Sequence, residues 1–166
     1  LGDLDKTGRL SLKKKIKTGY IFAGWQLTKL NGTAVTNGEV VTEIAANSVG
    51  NREYTATYTN GPAAYTVYHM LENANDANYT QYKVETIDTY KGTTTKVQTN
   101  DVITLDNKLA ITIANSTYEK STTTLGGSQG TTVTVAADSS TKIYVYYKRN
   151  KFTLTLANDA NTNALK

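Results

Sequence analysis

The chain has few residues with which it could carry out acid–base or nucleophilic chemistry. The chain has a single histidine, His69, and no cysteine. Thiolate nucleophiles and Cys–His metal sites are therefore excluded. His69 lies within an alternating, strand-like pattern, and no G-x-S-x-G segment lies nearby. Because a catalytic histidine needs both a nucleophile and an orienting acid, we interpret His69 as a structural strand residue.

One segment has the beginning of a calcium-binding loop. The residues DLDKTG, Asp3 to Gly8, place acids at the first and third positions and glycine at the sixth, as an EF-hand loop does. The twelfth position, where a bidentate glutamate closes such a loop, is Lys14. An ammonium group there would repel the ion. We therefore predict a polar turn, with no metal and no cofactor.

Carboxylates are the remaining candidates for catalysis. Glu39, Glu43, Glu72 and Asp76 are available, but glycoside hydrolysis needs two carboxylates placed across a cleft. Units of about sixty to ninety residues leave little room for a cleft of that kind. The sequence therefore predicts a protein that is not an enzyme.

The elements that must position these residues are mostly strands. Of 166 residues, 39% are hydrophobic, twelve are tyrosine and only one is proline, a composition typical of short strands and tight turns. Segments in which hydrophobic and polar residues alternate predict strands. They cover residues 9–16, 53–59, 65–71, 81–90, 131–137, 142–148 and 152–156. One stretch, 38–49, has apolar residues near helical spacing, so a short helix or turn there leaves an α+β fold open.

Turn residues suggest how the chain is divided. Asn-Gly pairs occur at Asn31-Gly32 and Asn37-Gly38, and Asn60-Gly61-Pro62 separates two predicted strands. We place a domain boundary at that tripeptide. The predicted organisation is a module over 1–61, a second over 62–150, and the start of a further unit over 151–166.

Motifs in both predicted modules are similar to repeats of bacterial surface proteins. The segments KTGYIFAGW (17–25) and EYTATYT (53–59) resemble the internalin B-repeat, or Listeria–Bacteroides repeat, family. The segments YTVYHMLENANDANYTQ (65–81) and STKIYVYYKRN (140–150) resemble repeats of mucin-binding-protein type. The resemblance implies tandem small β-grasp-like modules in large secreted proteins. Their expected place is the surface or cell wall of a Gram-positive bacterium, with roles in adhesion, virulence or spacing.

The resemblance also implies that the ends of the chain belong to incomplete units. A strand such as KFTLTL opens repeats of this type, so Phe152, Leu154 and Leu156 would lie in the first strand of a third unit. The first unit would lack its own opening strand. Because an unpaired strand edge invites a strand from outside, we expect head-to-tail self-association through the C-terminal strand.

The aromatic residues admit two interpretations. In GYIFAGW, we expect Tyr20, Phe22 and Trp25 to be core, with a bend at Gly24 that brings the last two together. The alternative is a sugar-stacking platform.

In the second module, Tyr144 and Tyr146 share one strand face. Together with Lys148 and Arg149 they are the predicted partner contact.

The charge pattern limits the class of partner. A formal net charge of +4 with scattered acids is low for nucleic-acid binding, and no apolar run is long enough for membrane insertion. The dense segment KKKIK, Lys13 to Lys17, is interpreted as a solvated strand edge. We expect a non-catalytic adhesin stalk or protein-interaction segment that meets a host or matrix glycoprotein or another surface protein; the alternative is a mucin-type glycan-binding module.

Overall fold

The computed structural model of the chain describes residues 3–4 and 8–155, and its regular secondary structure is almost all strand. This confirms the mostly β fold class. In the described part, no helix has the length and apolarity that crossing a bilayer would need. The strands are β1 (Asp3–Leu4), β2 (Leu10–Ser11), β3 (Tyr20–Leu30), β4 (Thr33–Ala34), β5 (Val40–Val41), β6 (Glu43–Ile44), β7 (Arg52–Asn60), β8 (Tyr65–Glu72), β9 (Tyr79–Ile87), β10 (Val102–Thr104), β11 (Ser116–Thr122), β12 (Thr132–Thr134) and β13 (Lys142–Arg149), and one 3-10 turn covers Asn107–Leu109.

The first unit, which comprises β1 to β7, is built on one long antiparallel pair. β3 and β7 pair along their whole length, from Tyr20 opposite Asn60 to Leu30 opposite Arg52. On its other edge β3 pairs with β4 and β5. The turn from β3 to β4 is the predicted Asn31-Gly32 pair, and both residues have positive φ, which such a hairpin turn requires.

In the first unit one prediction is wrong, and one of two alternatives is excluded. The strand expected over 9–16 is only Leu10–Ser11, which pairs with β1 and β6 in a small sheet. The helix considered over 38–49 does not form, because Val40–Val41 and Glu43–Ile44 are strands in two different sheets. The apparent helical spacing arises from two short strands joined at Thr42.

The second unit, which comprises β8 to β13, contains a four-stranded mixed sheet. Its order is β11-β13-β8-β9, so the first and last strands of the unit are the two central ones. β8 and β13 are parallel, whereas both outer pairs are antiparallel. The chain therefore enters the sheet at one end and leaves it at the other.

The buried hydrophobic core lies on one face of this sheet. Residues from β8 and β13 pack there against the β10–β12 ribbon and its flanking loops. The buried members are Ala63, Tyr65, Val67, Val97, Ile103, Leu105, Ile113, Val135, Ile143, Val145 and Tyr147. In the described range 8–60, by contrast, Gly24 is the only buried residue.

A short junction joins the two units. The Gly19 carbonyl oxygen accepts hydrogen bonds from Gly61 N–H at 2.9 Å and from Thr99 Oγ1 at 2.5 Å. Asn100 Nδ2 donates to Asn60 Oδ1 at 3.0 Å. The predicted break at Asn60-Gly61-Pro62 thus falls between two sheets, while the independent folding of 1–61 and 62–150 stays a prediction.

The last described residues, 151–155, are exposed and belong to no strand. The strand predicted over 152–156 is therefore not paired within these residues. Leu156 lies outside the described residues.

Candidate binding surface

The aromatic residues of GYIFAGW form a cluster with a tyrosine from β7. A β-bulge interrupts the β3–β7 register between Phe22 and Gly24. Gly24 has a φ of 144°, a conformation that favours glycine. The bulge brings Phe22 and Trp25 onto one face, with ring centroids 5.7 Å apart in an edge-to-face contact. Phe22 also meets Tyr58 at 5.9 Å. The predicted bend at Gly24 is confirmed.

The side chains of this aromatic cluster are neither fully buried nor fully exposed. Tyr20, Phe22 and Trp25 are each half-buried, so they do not belong to the buried core in which we expected them. The Trp25 indole N–H donates to the Lys13 carbonyl oxygen at 3.2 Å. Lys17 Nζ lies 4.2 Å from the centre of the Tyr20 ring. The lysine-rich segment therefore runs beside the aromatic cluster instead of forming a strand edge.

A second aromatic row crosses the outer face of the mixed sheet, opposite the buried core. Tyr68 pairs with Val84 across one strand boundary and with Tyr144 across the next. The Tyr68 and Tyr144 rings stack at 5.0 Å with an angle of 19° between their planes. Both tyrosines are half-buried and Val84 is 41% exposed. This row, Val84–Tyr68–Tyr144, is an accessible apolar strip.

The prediction that Tyr146 contacts a partner is wrong. Tyr146 lies on the outer face as expected but is only 2% exposed. Tyr79 packs edge-on against its ring at 4.9 Å, and Gly126 N–H donates to its hydroxyl at 2.6 Å. The side chain of Lys120 also lies against the ring, with Nζ 5.0 Å from its centre. Groups distant in sequence thus cover a position that alternation alone leaves open.

Lys148 and Arg149 are exposed, as predicted, but both are held by Glu72. The Glu72 carboxylate accepts Arg149 N–H at 3.0 Å, and its backbone carbonyl accepts Arg149 Nε at 2.7 Å. Lys148 Nζ lies 3.5 Å from Glu72 and 3.8 Å from Glu119. The backbone hydrogen bond from Arg149 is the main reason that the pKa of Glu72 is lowered. These charges stabilise the end of β13 and form no free cationic patch.

A groove of about 430 Å³ opens beside this end of the sheet, between the loop 73–77 and residues 149–151. It carries Asp76 and Glu72 as well as Arg149 and Lys151. The Asp76 carboxylate accepts the Asn78 N–H at 2.7 Å and so serves the loop itself. The mixed charges give the groove no preference for an anion or a cation.

His69 is completely buried in a chain of hydrogen bonds. Its Nδ1 lies 2.8 Å from the Tyr147 hydroxyl, and its Nε2 lies 3.0 Å from Glu85 Oε2. Ile111 N–H donates to the same hydroxyl at 2.9 Å, which leaves the Tyr147 proton to donate to Nδ1. Nε2–H then donates to Glu85, which also pairs with Lys83 at 2.6 Å. Every group is satisfied when the imidazole is neutral.

The titration behaviour of this network follows from its burial. Desolvation lowers the pKa of His69 and raises the pKa of Tyr147 to about 12. The hydrogen bond from Lys83, first, and that from His69 lower the pKa of Glu85. Because His69 has no exposed surface, it cannot reach a substrate. The geometry agrees with the structural role expected from the sequence.

The described residues contain no group of three or more potential metal ligands from His, Asp and Glu. Asp3, the first acid of the calcium-like motif, is paired with Ser11 in the small sheet. Asp5, its second acid, lies outside the described residues.

Several residues of these surfaces gave no signal in the sequence. Tyr68 and Tyr79 lie within the segment 65–81 that resembles a known repeat, but nothing in that segment distinguished them as surface residues. Glu85 appeared as one polar residue in an alternating strand. The sequence offered one signal for the Tyr68–Tyr144 pair, the alternation of side chains along a strand. It places both tyrosines at outward positions, and their two strands are neighbours in the sheet.

No known protein family, no curated protein and no solved structure matches this chain. The similarity to internalin B-repeats and mucin-binding-type repeats therefore remains a resemblance of short motifs.

Proposed function

We propose that this chain is a non-catalytic repeat segment of a secreted bacterial surface protein, in which its units act as spacers or interaction modules. The observation that carries the proposal is the central parallel pair β8–β13. Since these are the first and last strands of their unit, the unit passes the chain from one end to the other. That is the connectivity a spacer needs.

We further infer that the second unit has a β-grasp arrangement. If its four sheet strands are numbered in chain order, their spatial order is second, first, fourth, third, with the first and fourth parallel. A loop with one 3-10 turn and the β10–β12 ribbon covers the face that a helix would cover. The motif resemblance implied the same arrangement.

The junction continues the same path. β7 ends at Asn60 beside Gly19, and β8 begins at Tyr65 and runs away from that point.

A distance measurement tests the spacer proposal. The chain has no cysteine, so Thr33→Cys and Thr117→Cys introduce the only two sites for spin labels, at exposed positions toward the far end of each unit. Strands of nine and eight residues placed in line span roughly 56 Å. We expect a narrow distance distribution near that value. A broad distribution, or one centred near about half that length, would contradict a spacer.

A second candidate function is glycan binding, favoured by the Val84–Tyr68–Tyr144 row. Stacked, half-buried tyrosines beside an exposed apolar side chain offer a flat surface for a sugar ring. Titration with mucin-type oligosaccharides, followed by NMR, would move the Tyr68 and Tyr144 signals if this function is correct. The Tyr144→Ala variant should abolish the shifts, whereas Tyr82→Ala, at another exposed position of β9, should preserve them. Absence of shifts at millimolar sugar would remove this candidate.

A further inference from the structure

β7 has a backbone edge without a partner among the described residues. This nine-residue strand pairs with β3 on one side, and the sheet order β4/β5-β3-β7 leaves β7 outermost. Its second edge therefore presents a row of N–H and C=O groups that another strand can pair with.

The apolar side chains of β7 are only partly covered. Tyr54, Ala56 and Tyr58 alternate along one face of the strand and are half-buried. They lie opposite Leu27, Trp25 and Phe22 of β3, so the open edge continues the aromatic cluster. A unit whose apolar face is only half-buried gains stability when further apolar surface packs against it.

The same chain carries a segment with a matching pattern. Phe152 and Leu154 are 79% and 82% exposed, and Thr153 and Thr155 alternate with them. On an extended strand the two apolar side chains share one face and the threonines the other. β7 likewise has apolar side chains on one face and threonines, at 55, 57 and 59, on the other.

The second unit contains a strand with the same pattern, paired in parallel with the last strand of its unit. β8 begins with Tyr65, Thr66 and Val67, the pattern of Phe152, Thr153 and Leu154. It lies parallel to the last strand of its unit and places Tyr65 and Val67 in the buried core. β7 is the last strand of the first unit, and its corresponding edge is open.

We propose that residues 151–155 of a second copy add to the open edge of β7 as a parallel strand. Phe152 and Leu154 then cover Tyr54, Ala56 and Tyr58, while backbone hydrogen bonds pair the two strands. The contact joins two different surfaces, so it propagates head to tail unless two copies exchange strands reciprocally. This inference goes beyond the spacer proposal and does not depend on it.

Sedimentation analysis of the 166-residue chain over a range of concentrations tests the proposal. We expect dimers or longer species that become more populated with concentration. The Phe152→Thr/Leu154→Thr variant should be monomeric under the same conditions, because it loses the apolar face of the added strand. The matched control is Thr153→Ser/Thr155→Ser, which changes the other face and should associate like the unmodified chain.

Hydrogen exchange locates the contact. Amides of 152–155 and of the open edge of β7 should become protected together as concentration rises, and a peptide of residues 150–156 should protect β7 in the monomeric variant. A monomer at all concentrations overturns the proposal, as does association that survives in the Phe152→Thr/Leu154→Thr variant. Protection of 152–155 that is independent of concentration also overturns it, because the segment would then fold onto its own chain.

Discussion

The buried polar residues of the second unit are arranged so that each donor meets one acceptor. In the described residues, every buried side-chain nitrogen or oxygen has a hydrogen-bond partner. Tyr147 is central, since its hydroxyl accepts from Ile111 and faces His69. A buried network of this kind rigidifies a core only while it is complete.

Tyr147→Phe should therefore destabilise the protein by more than the loss of one hydrogen bond. The change leaves the buried His69 Nδ1 and the part-buried Ile111 N–H without their partner. An unsatisfied buried group costs about 1–3 kcal/mol, and a part-buried one costs less. Urea unfolding should show a decrease in the free energy of unfolding of about 2–4 kcal/mol. Tyr144→Phe is the control, because no hydrogen bond of the Tyr144 hydroxyl is found among the described residues; an equal effect of both changes would contradict the network.

Protonation of His69 should destabilise the folded state. Burial lowers the folded-state pKa of His69 below its ordinary value of 6.5, so the unfolded chain binds more protons in this range. The stabilising contribution is complete above pH 6.5 and is lost as pH falls through the folded pKa. Glu85, whose pKa is also lowered, adds a further loss below pH 4.5.

Unfolding measured from pH 7.5 to 4 should thus show a stability that declines from about pH 6.5 downward. His69→Gln removes the titrating group and should flatten the upper part of this decline, leaving the lower part that Glu85 contributes. Parallel curves for the two proteins would show that His69 does not control the acid sensitivity.

Tyr146 shows the limit of residue-level prediction. Alternation correctly places it on the outer face, but its burial depends on Tyr79 and on the loop at Gly126. These contacts join positions far apart in sequence, which no local pattern encodes.

At the level of elements, strands with unbroken alternation were predictable and bulged or very short strands were not. The limits of β8, β13 and β7 agree with the predictions within one residue. β11 was missed because its register shifts between Tyr118 and Lys120, which interrupts the period of two. The two-residue strands near Val40 carry too few residues to show any period.

The bulge at Gly24 is the element-level feature that positions the aromatic cluster. A Cβ at residue 24 would lie 2.5 Å from Val40 Cγ1, and the positive φ disfavours any side chain. Gly24→Ala should lower the free energy of unfolding by about 1–3 kcal/mol and shift Trp25 emission to the red as its contact with Phe22 is lost.

Val40→Ala in the Gly24→Ala background should recover part of this loss, because it removes the clashing methyl group; the backbone strain and a 3.2 Å approach to the Val41 carbonyl oxygen remain. Val40 is 49% exposed, so the single Val40→Ala change should have little effect. A Gly24→Ala protein with unchanged stability and emission would show that the bulge is not required.

At the level of the whole molecule, the relation between the units depends on Gly19. A Cβ there would lie 2.2 Å from the Ala137 carbonyl oxygen and 2.7 Å from Thr99 Oγ1. Because the first of these atoms belongs to the backbone, the clash cannot be relieved by a rotamer change. The junction therefore tolerates no side chain at this position.

Gly19→Ala should open the junction while the second unit stays folded. With labels at Thr33→Cys and Thr117→Cys, the distance distribution should become broad. Gly92→Ala is a matched control, since Gly92 has a φ of 74° against 73° for Gly19 and no atom within 4 Å of the added Cβ. Both variants bear the same backbone strain. Equally narrow distance distributions for the two variants would show that Gly19 does not determine the relative position of the two units.

The parallel central pair has a mechanical consequence. A pull between the two ends of the second unit acts on the start of β8 and the end of β13, which are adjacent strands paired from Thr66 opposite Lys142 to Leu71 opposite Tyr147. Opposite forces at these points slide the strands along each other, so the ladder hydrogen bonds share the load and must rupture together. A hairpin pulled at its open end instead unzips one bond at a time. A series of such units would therefore resist tension well, although the native fold is stabilised by ordinary weak interactions.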